Sequence, residues 1–512
     1  MRGRARHPTK HAAGLAAAGL RTHTVAMEMD RRSLLQGAAC AGLAAGLFEP
    51  ARAQLQLAAE GPRWVVTTQT QPWKENEGAQ VRPIRLGEEA DVVLNHEIRH
   101  QTMVGFGGCF NEMGWDALLL LPDDERDRVL EDLFGPDGAR FNLCRMPIGA
   151  NDFARDWYSY DETPDDLALR NFSISRDDTG LVPFIRAARR HRPDLKLWAS
   201  PWSPPSWMKR NGHYAMAHNQ PGWPDNGLPQ GAEGKEGEDW FIQEPEYFDA
   251  YARYFGKFVD AYKARGIPIS MVMPQNEFNS AQPFPSCCWT PQGLARFLPH
   301  LGKEMGARGV DIFFGTLERP DPALFETVFA DPQAGPLIKG VGAQWAGKGA
   351  VPFINRAHPD LPIYQTEQEC GDGQNDWRYA RYAWSLMKLY LRNGASAYQY
   401  WNIALEPGGK SRWGWRQNSL LTVDIQTKAA TWNHEYWLMK HLSHFVRPGM
   451  ARIEATSTMG YDDVLAFAGD GAVVAVLSNA LAQPSPIKLM LGNRMIELTL
   501  PADSFSTVEL PA

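Results

Sequence analysis

Two stretches of the chain run through short apolar-leaning segments and stop on a glutamate. One is Pro362-Ile363-Tyr364-Gln365-Thr366-Glu367, followed by Gln368-Glu369. The other is Ile269-Ser270-Met271-Val272-Met273-Pro274-Gln275-Asn276-Glu277. A carboxylate at the end of a buried strand is costly unless a partner or a chemical task holds it there. Two of them suggest a two-carboxylate site, in which one group attacks as a nucleophile and the other passes a proton. A buried ion pair would leave the same trace, so the choice depends on what else converges on the same place.

The elements that must position these residues are strands. From about residue 102 to about residue 440, strand-like and helix-like segments alternate. Strands are expected at Val104–Phe110, Arg140–Gly149, Lys196–Trp202, Ile269–Glu277, Asp311–Glu318, Ile338–Trp345, Pro362–Glu369 and Ala395–Leu405. Helical patterns lie between them at Pro122–Phe134, Asp178–Arg190, Pro245–Arg265, Pro291–Arg308, Pro322–Ala330 and Trp377–Arg392. The aromatic stripe Tyr247, Tyr251, Tyr254, Phe255, Phe258 and Tyr262 has helical spacing and reads as core. Alternation of this kind predicts an α/β fold, a (β/α)8 TIM barrel. An open doubly wound sheet is the alternative, but no Gly-rich phosphate loop follows the first strand. Strand-like runs before and after this region, such as Trp64–Thr68, Asp91–Leu94, Ala472–Ser478 and Ser506–Leu510, predict a flanking all-β sandwich built from N- and C-terminal strands. The expected divisions are 54–101, 102–440 and 441–512.

Function in such a barrel sits at the C-terminal ends of the strands. Those ends carry Asp152 after the second strand, Trp202 at the third, Asn276 and Glu277 at the fourth, Trp345 at the sixth, Glu367 at the seventh, and Trp401 with Asn402 at the eighth. Carboxylates, amides and indoles on one rim suit a neutral polyhydroxylated ligand, a carbohydrate or glycolipid. The basic cluster that a phosphate would want is missing. Retaining glycoside hydrolysis needs two carboxyl groups about 5–5.5 Å apart, and the fourth and seventh strands face each other across a barrel mouth.

Composition narrows the alternatives. A formal net charge of -7 gives no general attraction to nucleic acid. Arg31-Arg32-Ser33-Leu34-Leu35, an apolar run from Leu34 to Phe48 and Ala51-Arg52-Ala53 form a twin-arginine export signal, which predicts a periplasmic or secreted protein. The basic, Ala-rich residues before Met27 or Met29 read as an over-extended start, so residues 1–53 are set aside. The apolar run is too short to span a membrane. Cys109, Cys144, Cys287, Cys288 and Cys370 remain after the signal, an odd set with no CxxC pair, and read mostly as free thiols. No cofactor or metal is implied, and nothing indicates an oligomeric state.

Gly105-Phe106-Gly107-Gly108, Asn142-Leu143-Cys144-Arg145-Met146-Pro147, Asp152-Phe153, Asn171-Phe172-Ser173, Asn276-Glu277, Thr366-Glu367 and the highly specific Ser200-Pro201-Trp202-Ser203-Pro204-Pro205-Ser206-Trp207-Met208-Lys209 form a recognisable set. Together they resemble glycoside hydrolase family 30, the glucosylceramidase-like and endo-β-1,6-glucanase-like retaining β-glycosidases. The resemblance runs from about Thr102 to the C-terminus. It implies a barrel with a side β-sandwich and a double displacement through a covalent glycosyl-enzyme, with Glu367 as nucleophile and Glu277 as general acid/base. It implies that Asn276 bonds the sugar 2-hydroxyl and that Asp152, Trp202 and Trp401 hold the hydroxyls of the sugar being cleaved. Arg145 is expected beside Glu367, keeping it ionised, and Trp345 among the substrate contacts. The substrate is expected to be a β-glucoside: a glucosylceramide-like glucoside, a β-1,6-glucan, or, on the same scaffold, a β-xyloside or β-fucoside. A non-catalytic carbohydrate-binding barrel is the rival, and retention of both glutamates argues against it.

Departures from the pattern fall on the leaving-group side. Phe278 stands where much of the family has Pro, Ala346 where an aromatic hydroxyl is expected near the nucleophile, and Trp413-Gly414-Trp415-Arg416 does not align cleanly. Other motifs compete for attention. His96-Glu97-Ile98-Arg99-His100 matches the HExxH zinc pattern, which works only on a helix, and its flanks read as strand. Glu369 is a rival nucleophile or a substrate contact, Cys287-Cys288 a possible vicinal disulfide, and Glu318 a ligand contact or an ion-pair partner.

Overall fold

The computed structural model describes residues 61–511. The twin-arginine segment and the expected cleavage site lie outside the described residues. Eight parallel strands close into a barrel: β1 (Gly105–Cys109), β2 (Leu143–Pro147), β3 (Lys196–Ser200), β4 (Met271–Val272), β5 (Asp311–Leu317), β6 (Ile338–Gln344), β7 (Ile363–Glu367) and β8 (Ala395–Asn402). They follow one another around the ring in chain order, β8 pairing with β1. Each falls inside a strand expected from sequence. β4 is the shortest because Pro274, which has no N–H to give a ladder, follows it closely. Gly107 lets β1 approach β2: a Cβ there would stand 2.0 Å from the Leu143 carbonyl oxygen.

Apolar side chains fill the barrel's lower interior, where Leu143, Trp198, Met271, Met273, Phe313, Tyr364 and Ala397 form one cluster. This is packed core, not a pore. The helices cover the outside. The longest, Pro245–Ala264, buries Tyr251, Tyr254, Phe255, Phe258 and Tyr262, so the aromatic stripe is core, as its spacing implied. The hydroxyls of Tyr158, Tyr160 and Tyr262 all donate to the buried carboxylate of Asp177. Three further helices, Glu112–Leu119, Val351–Ala357 and His434–Ser443, were not anticipated. The first two are short, and Gly114 and Pro352 within them blur the helical pattern.

Strands from both ends of the described chain build the flanking β unit. Arg63–Thr68 pairs along its length with Ser504–Pro511, and Gln80–Pro83 pairs with Arg494–Leu500. Ten strands form one continuous sheet. Its two arms share a core, with Trp64, Val66, Ala466 and Ala475 from one side and Leu489, Ile496 and Leu498 from the other, so the sheet folds over on itself as a sandwich. The hinge is the eleven-residue strand Val92–Thr102, whose pairing with Ala451–Thr456 shifts register twice. The HExxH residues lie on this strand, where alternation spreads them over two faces. His100 Nε2 is 2.8 Å from Glu454 Oε2. The helix His434–Ser443 joins barrel to sandwich: buried His441 contacts Thr507 Oγ1 at 2.8 Å and Thr67 Oγ1 at 2.9 Å.

Candidate active site

Arg145, at the centre of β2, organises the barrel mouth from below. Its side chain is fully buried, and its guanidinium carbon lies 4.3 Å from the Trp202 ring centroid, 4.9 Å from Trp198 and 5.4 Å from Trp401. These ring faces partly offset the cost of burying the cation. The planar fork then fixes three groups at once. It donates to Glu367 Oε2 at 2.8 Å, to Asn276 Oδ1 at 2.7 Å and to Ser200 Oγ at 3.0 Å. A lysine could not hold all three in this plane.

The chain after β4 delivers Asn276 and Glu277. Glu277 has φ of 44°, in the left-handed region that a non-glycine residue adopts only when its surroundings hold it there. Its backbone N–H is held by Thr316 Oγ1 at 2.9 Å, and the same hydroxyl donates to Asn276 Oδ1 at 3.1 Å. With Arg145 and Thr316 both donating to Asn276 Oδ1, the amide orientation is determined, and Nδ2 is the atom left for a ligand.

Glu367 ends β7. Trp345, also in the left-handed region with φ of 46°, donates its indole N–H to Glu367 Oε1 at 2.8 Å. The two glutamates are linked by one side chain. Gln344 Nε2 lies 3.2 Å from Glu277 Oε1 and 3.1 Å from Glu367 Oε2. The facing oxygens are therefore no farther apart than two hydrogen bonds end to end. Gln282 Nε2 holds the other Glu277 oxygen at 3.1 Å.

Above these groups lies a pocket of about 240 Å³ that Asp152, Trp202, Glu277, Trp345 and Glu367 line from the barrel side, and Gln282, Phe284, Glu318, Trp415 and Gln417 from the loops. Larger hollows on the side sheet, bordered by Arg452 or Lys488, lie away from the strand ends. Trp202 and Trp401 stack at 5.1 Å. Among the described residues, Asp152 Oδ1 and Trp401 Nε1 are buried polar atoms without a hydrogen-bond partner. Such orphans are expensive, and a buried acceptor on Asp152, which lines the pocket, suits a ligand rich in hydroxyls.

The electrostatics separate the two glutamates. Burial raises Glu277 well above the ordinary carboxylate range, and the charges of Glu318, Glu367 and Asp152 push it further. Burial also raises Glu367, but the Arg145 guanidinium and the N–H groups of Trp345 and Gln344 pull it back. Both carboxyls are raised, Glu277 more than Glu367, so a proton shared by the pair favours Glu277. Asp152 is raised by burial and by Glu367.

Comparison with known proteins agrees with this geometry. Residues 103–446 match the family model described as the glycosyl hydrolase family 30 TIM-barrel domain. The chain belongs to glycosyl hydrolase family 30. It is 27% identical to the lysosomal acid glucosylceramidase of Mus musculus over 79% of this chain and 80% of that protein. It is 26% identical to the endo-1,6-beta-D-glucanase neg1 of Aspergillus fumigatus over 80% and 86%. Among solved structures, SrfJ from Salmonella typhimurium superposes with a TM-score of 0.78 at 23% identity, over 88% of this chain and all of that one. The endo-beta1,6-glucanase BT3312 does so with a TM-score of 0.74 at 22% identity and the same coverage. Family 30 membership makes this protein a glycoside hydrolase.

The departures from the family 30 pattern now have places. Phe278 is buried edge-on against Phe314, with ring centroids 5.3 Å apart. Ala346 is exposed, and a bond to Glu367 comes from the neighbouring Trp345 instead, so this indole holds Glu367 as well as lining the pocket. Trp415 of the loop after β8 borders the pocket, while Trp413 Nε1 bonds the Tyr214 hydroxyl at 3.2 Å. Glu369 pairs with Lys348 Nζ at 2.7 Å, accepts from the Tyr382 hydroxyl at 2.6 Å and does not line the pocket. Glu318 borders the pocket and is ion-paired with Arg319. Cys287 and Cys288 are free and buried. Gln344, Thr316 and Gln282 were not anticipated as site residues. The one available signal was that Gln344 and Thr316 sit at or near the ends of expected strands.

Proposed function

We propose that this protein is a retaining β-glycosidase that hydrolyses β-glucosidic bonds by double displacement. Glu367 attacks the anomeric carbon while Glu277 protonates the departing oxygen. Glu277 then takes a proton from water, whose oxygen displaces Glu367 from the sugar. The observation that carries this reading is the single Gln344 nitrogen within hydrogen-bond reach of both carboxyl groups. That closeness fits the roughly 5–5.5 Å separation of retaining enzymes better than the roughly 6.5–9.5 Å that leaves room for a water in inverting ones. The opposed charge environments supply an ionised nucleophile and a protonated acid.

Asn276 Nδ2 is placed in this reading on the sugar 2-hydroxyl, with Asp152 and Trp401 on further hydroxyls and Trp202 beneath the ring. The small pocket suits one sugar unit in the cleaved position. The named relatives support glucosylceramide-like glucosides or a β-glucan as the substrate, with an endo-β-1,6-glucanase as the alternative. Arg31-Arg32 and the apolar run after it support export to the periplasm or beyond.

The test is a pair of variants assayed on aryl β-glycosides, β-1,6-glucan and glucosylceramide. Glu367→Gln should lose turnover while still binding sugar. Glu277→Ala should keep slow turnover of substrates with good leaving groups, accelerated by azide. A fully active Glu367→Gln enzyme would overturn the assignment.

A further inference from the structure

Gln344 does more than pack beside the two glutamates. An amide nitrogen carries two hydrogens, and three acceptors surround this one: Glu367 Oε2 at 3.1 Å, Glu277 Oε1 at 3.2 Å and Asn276 Oδ1 at 3.2 Å. Asn276 Oδ1 already accepts from Arg145 and Thr316, so the two carboxyl oxygens are the acceptors in need.

The amide cannot be turned around. Its own oxygen lies 3.3 Å from Arg145 Nη1, which can only donate, and 3.0 Å from the Thr366 hydroxyl, while the nitrogen faces oxygens of Glu277, Glu367 and Asn276. The backbone places it as deliberately. Ala343 of β6 pairs with Gln365 of β7, but the next pair is Gln344 with Glu367, a register shift that skips Thr366. That irregularity sets Gln344 level with Glu367, as bulges beside active sites commonly re-aim a side chain.

We infer that Gln344 is a positioning residue whose N–H groups serve whichever of Glu277 and Glu367 is ionised. The inference rests on the double displacement proposed above. Before the first step Glu367 is the carboxylate and Glu277 holds a proton. Glu367 bonds to the anomeric carbon as the bond to the leaving oxygen breaks, and that oxygen takes the proton from Glu277. Glu367 is then a neutral ester and Glu277 the carboxylate. In the second step water gives its proton to Glu277 and its oxygen to the anomeric carbon, and the ester bond returns its electron pair to Glu367. The charge thus crosses between the two residues twice per turnover. A hydrogen bond to a charged acceptor is roughly twice as strong as one to a neutral acceptor. With a hydrogen aimed at each, the strong bond passes from one glutamate to the other without a side chain moving, and a donor that needs no reorganisation is the kind that lowers barriers. An amide neither gains nor loses a proton over the working pH range, so it cannot short-circuit the transfer.

The test uses the full-length enzyme, the aryl β-glycoside it turns over fastest, and rapid-mixing kinetics that resolve the first step from the second. Gln344→Met keeps the length of the side chain and removes both donors. It should slow both steps by about 10- to 100-fold each, the range for a lost hydrogen bond to a charged group, with substrate affinity within about threefold. The acidic limb of kcat/KM should move to higher pH. Gln344→Glu should work only at low pH, where the new carboxyl is protonated and can still donate one hydrogen. A Gln344→Met enzyme with only one step slowed, or with both slowed and neither pH limb moved, overturns the inference. If that variant does not fold by circular dichroism, the Gln344→Glu profile decides, and an unshifted profile refutes it. Failure of the double displacement shows separately, as a fully active Glu367→Gln enzyme.

Discussion

The indole N–H of Trp345 lies 2.8 Å from Glu367 Oε1 while Arg145 lies 2.8 Å from Glu367 Oε2, so each oxygen of this carboxylate has its own donor. Both donors stabilise the ionised form. Trp345→Phe removes one of them and keeps most of the ring. Loss of a hydrogen bond to a charged group costs about 1.5–3 kcal/mol, so kcat/KM should fall about 10- to 100-fold. Glu367 should then ionise at higher pH, moving the acidic limb of the pH–rate profile upward. An unmoved limb would show that the contact does not set the charge of Glu367.

Arg145→Met should be the most damaging single change below the pocket. It leaves Glu367 buried without its cation, and removing one member of a buried pair typically costs about 3–5 kcal/mol. Activity should be lost and the Tm should drop. Arg145→Lys should restore little, because one ammonium cannot hold Glu367, Asn276 and Ser200 in a plane. Recovery of activity in the lysine variant would argue that only the charge matters.

Glu369 gives the matching control. Its carboxyl is already paired with Lys348 and Tyr382, so Glu369→Gln should change kcat by no more than about threefold, since partly exposed ion pairs contribute only about 0–1 kcal/mol. A loss comparable to that of Glu367→Gln would make Glu369 the nucleophile.

Much of this site was legible in the chain because its strongest signals are charged or aromatic residues at strand ends. Glu277, Glu367, Asp152, Asn276, Trp202, Trp345, Trp401 and Arg145 all come to one end of one barrel. Gln344, Thr316 and Gln282 were not legible. Neutral polar residues carry no signature by type, and Gln344 reaches Glu367 only through a register shift that no pattern of side chains announces. The barrel strands were legible because each is a short apolar run between helical patterns. The helices Glu112–Leu119 and Val351–Ala357 were not, since Gly114 and Pro352 interrupt runs that are already short.

The raised pKa of Glu277 is also a statement about stability. A carboxyl that holds its proton more tightly when folded than when unfolded makes the folded state less stable as pH rises from the ordinary carboxylate range through the raised value. Glu277→Gln removes this loss. Its Tm should therefore fall less steeply than that of the wild type between about pH 5 and pH 8, as measured by calorimetry. A parallel decline would mean that Glu277 is not held protonated in the fold.

The barrel–sandwich junction should respond to acid in the opposite sense. Burial lowers both His441 and His444 to about 3, well below the ordinary value of about 6.5. Between those values the unfolded chain binds protons that the folded chain refuses, so stability falls as pH drops through this window. His441→Gln, which can still reach Thr67 and Thr507, should flatten the decline in Tm between pH 6.5 and pH 4. An unchanged slope would place the acid-sensitive groups elsewhere.

The pairing of Arg63–Thr68 with Ser504–Pro511 has a consequence for biosynthesis. Within the barrel every strand but one pairs with the next strand in the chain, and only β8 must return to β1, so most of the barrel can assemble as the chain emerges. The side sheet cannot close until its last strand has left the ribosome, because the partner waiting for it was made more than four hundred residues earlier. Until then Arg63–Thr68 is an open edge, and a chaperone or a stalled ribosome that delays the final strand prolongs the interval in which that edge can pair with the wrong molecule.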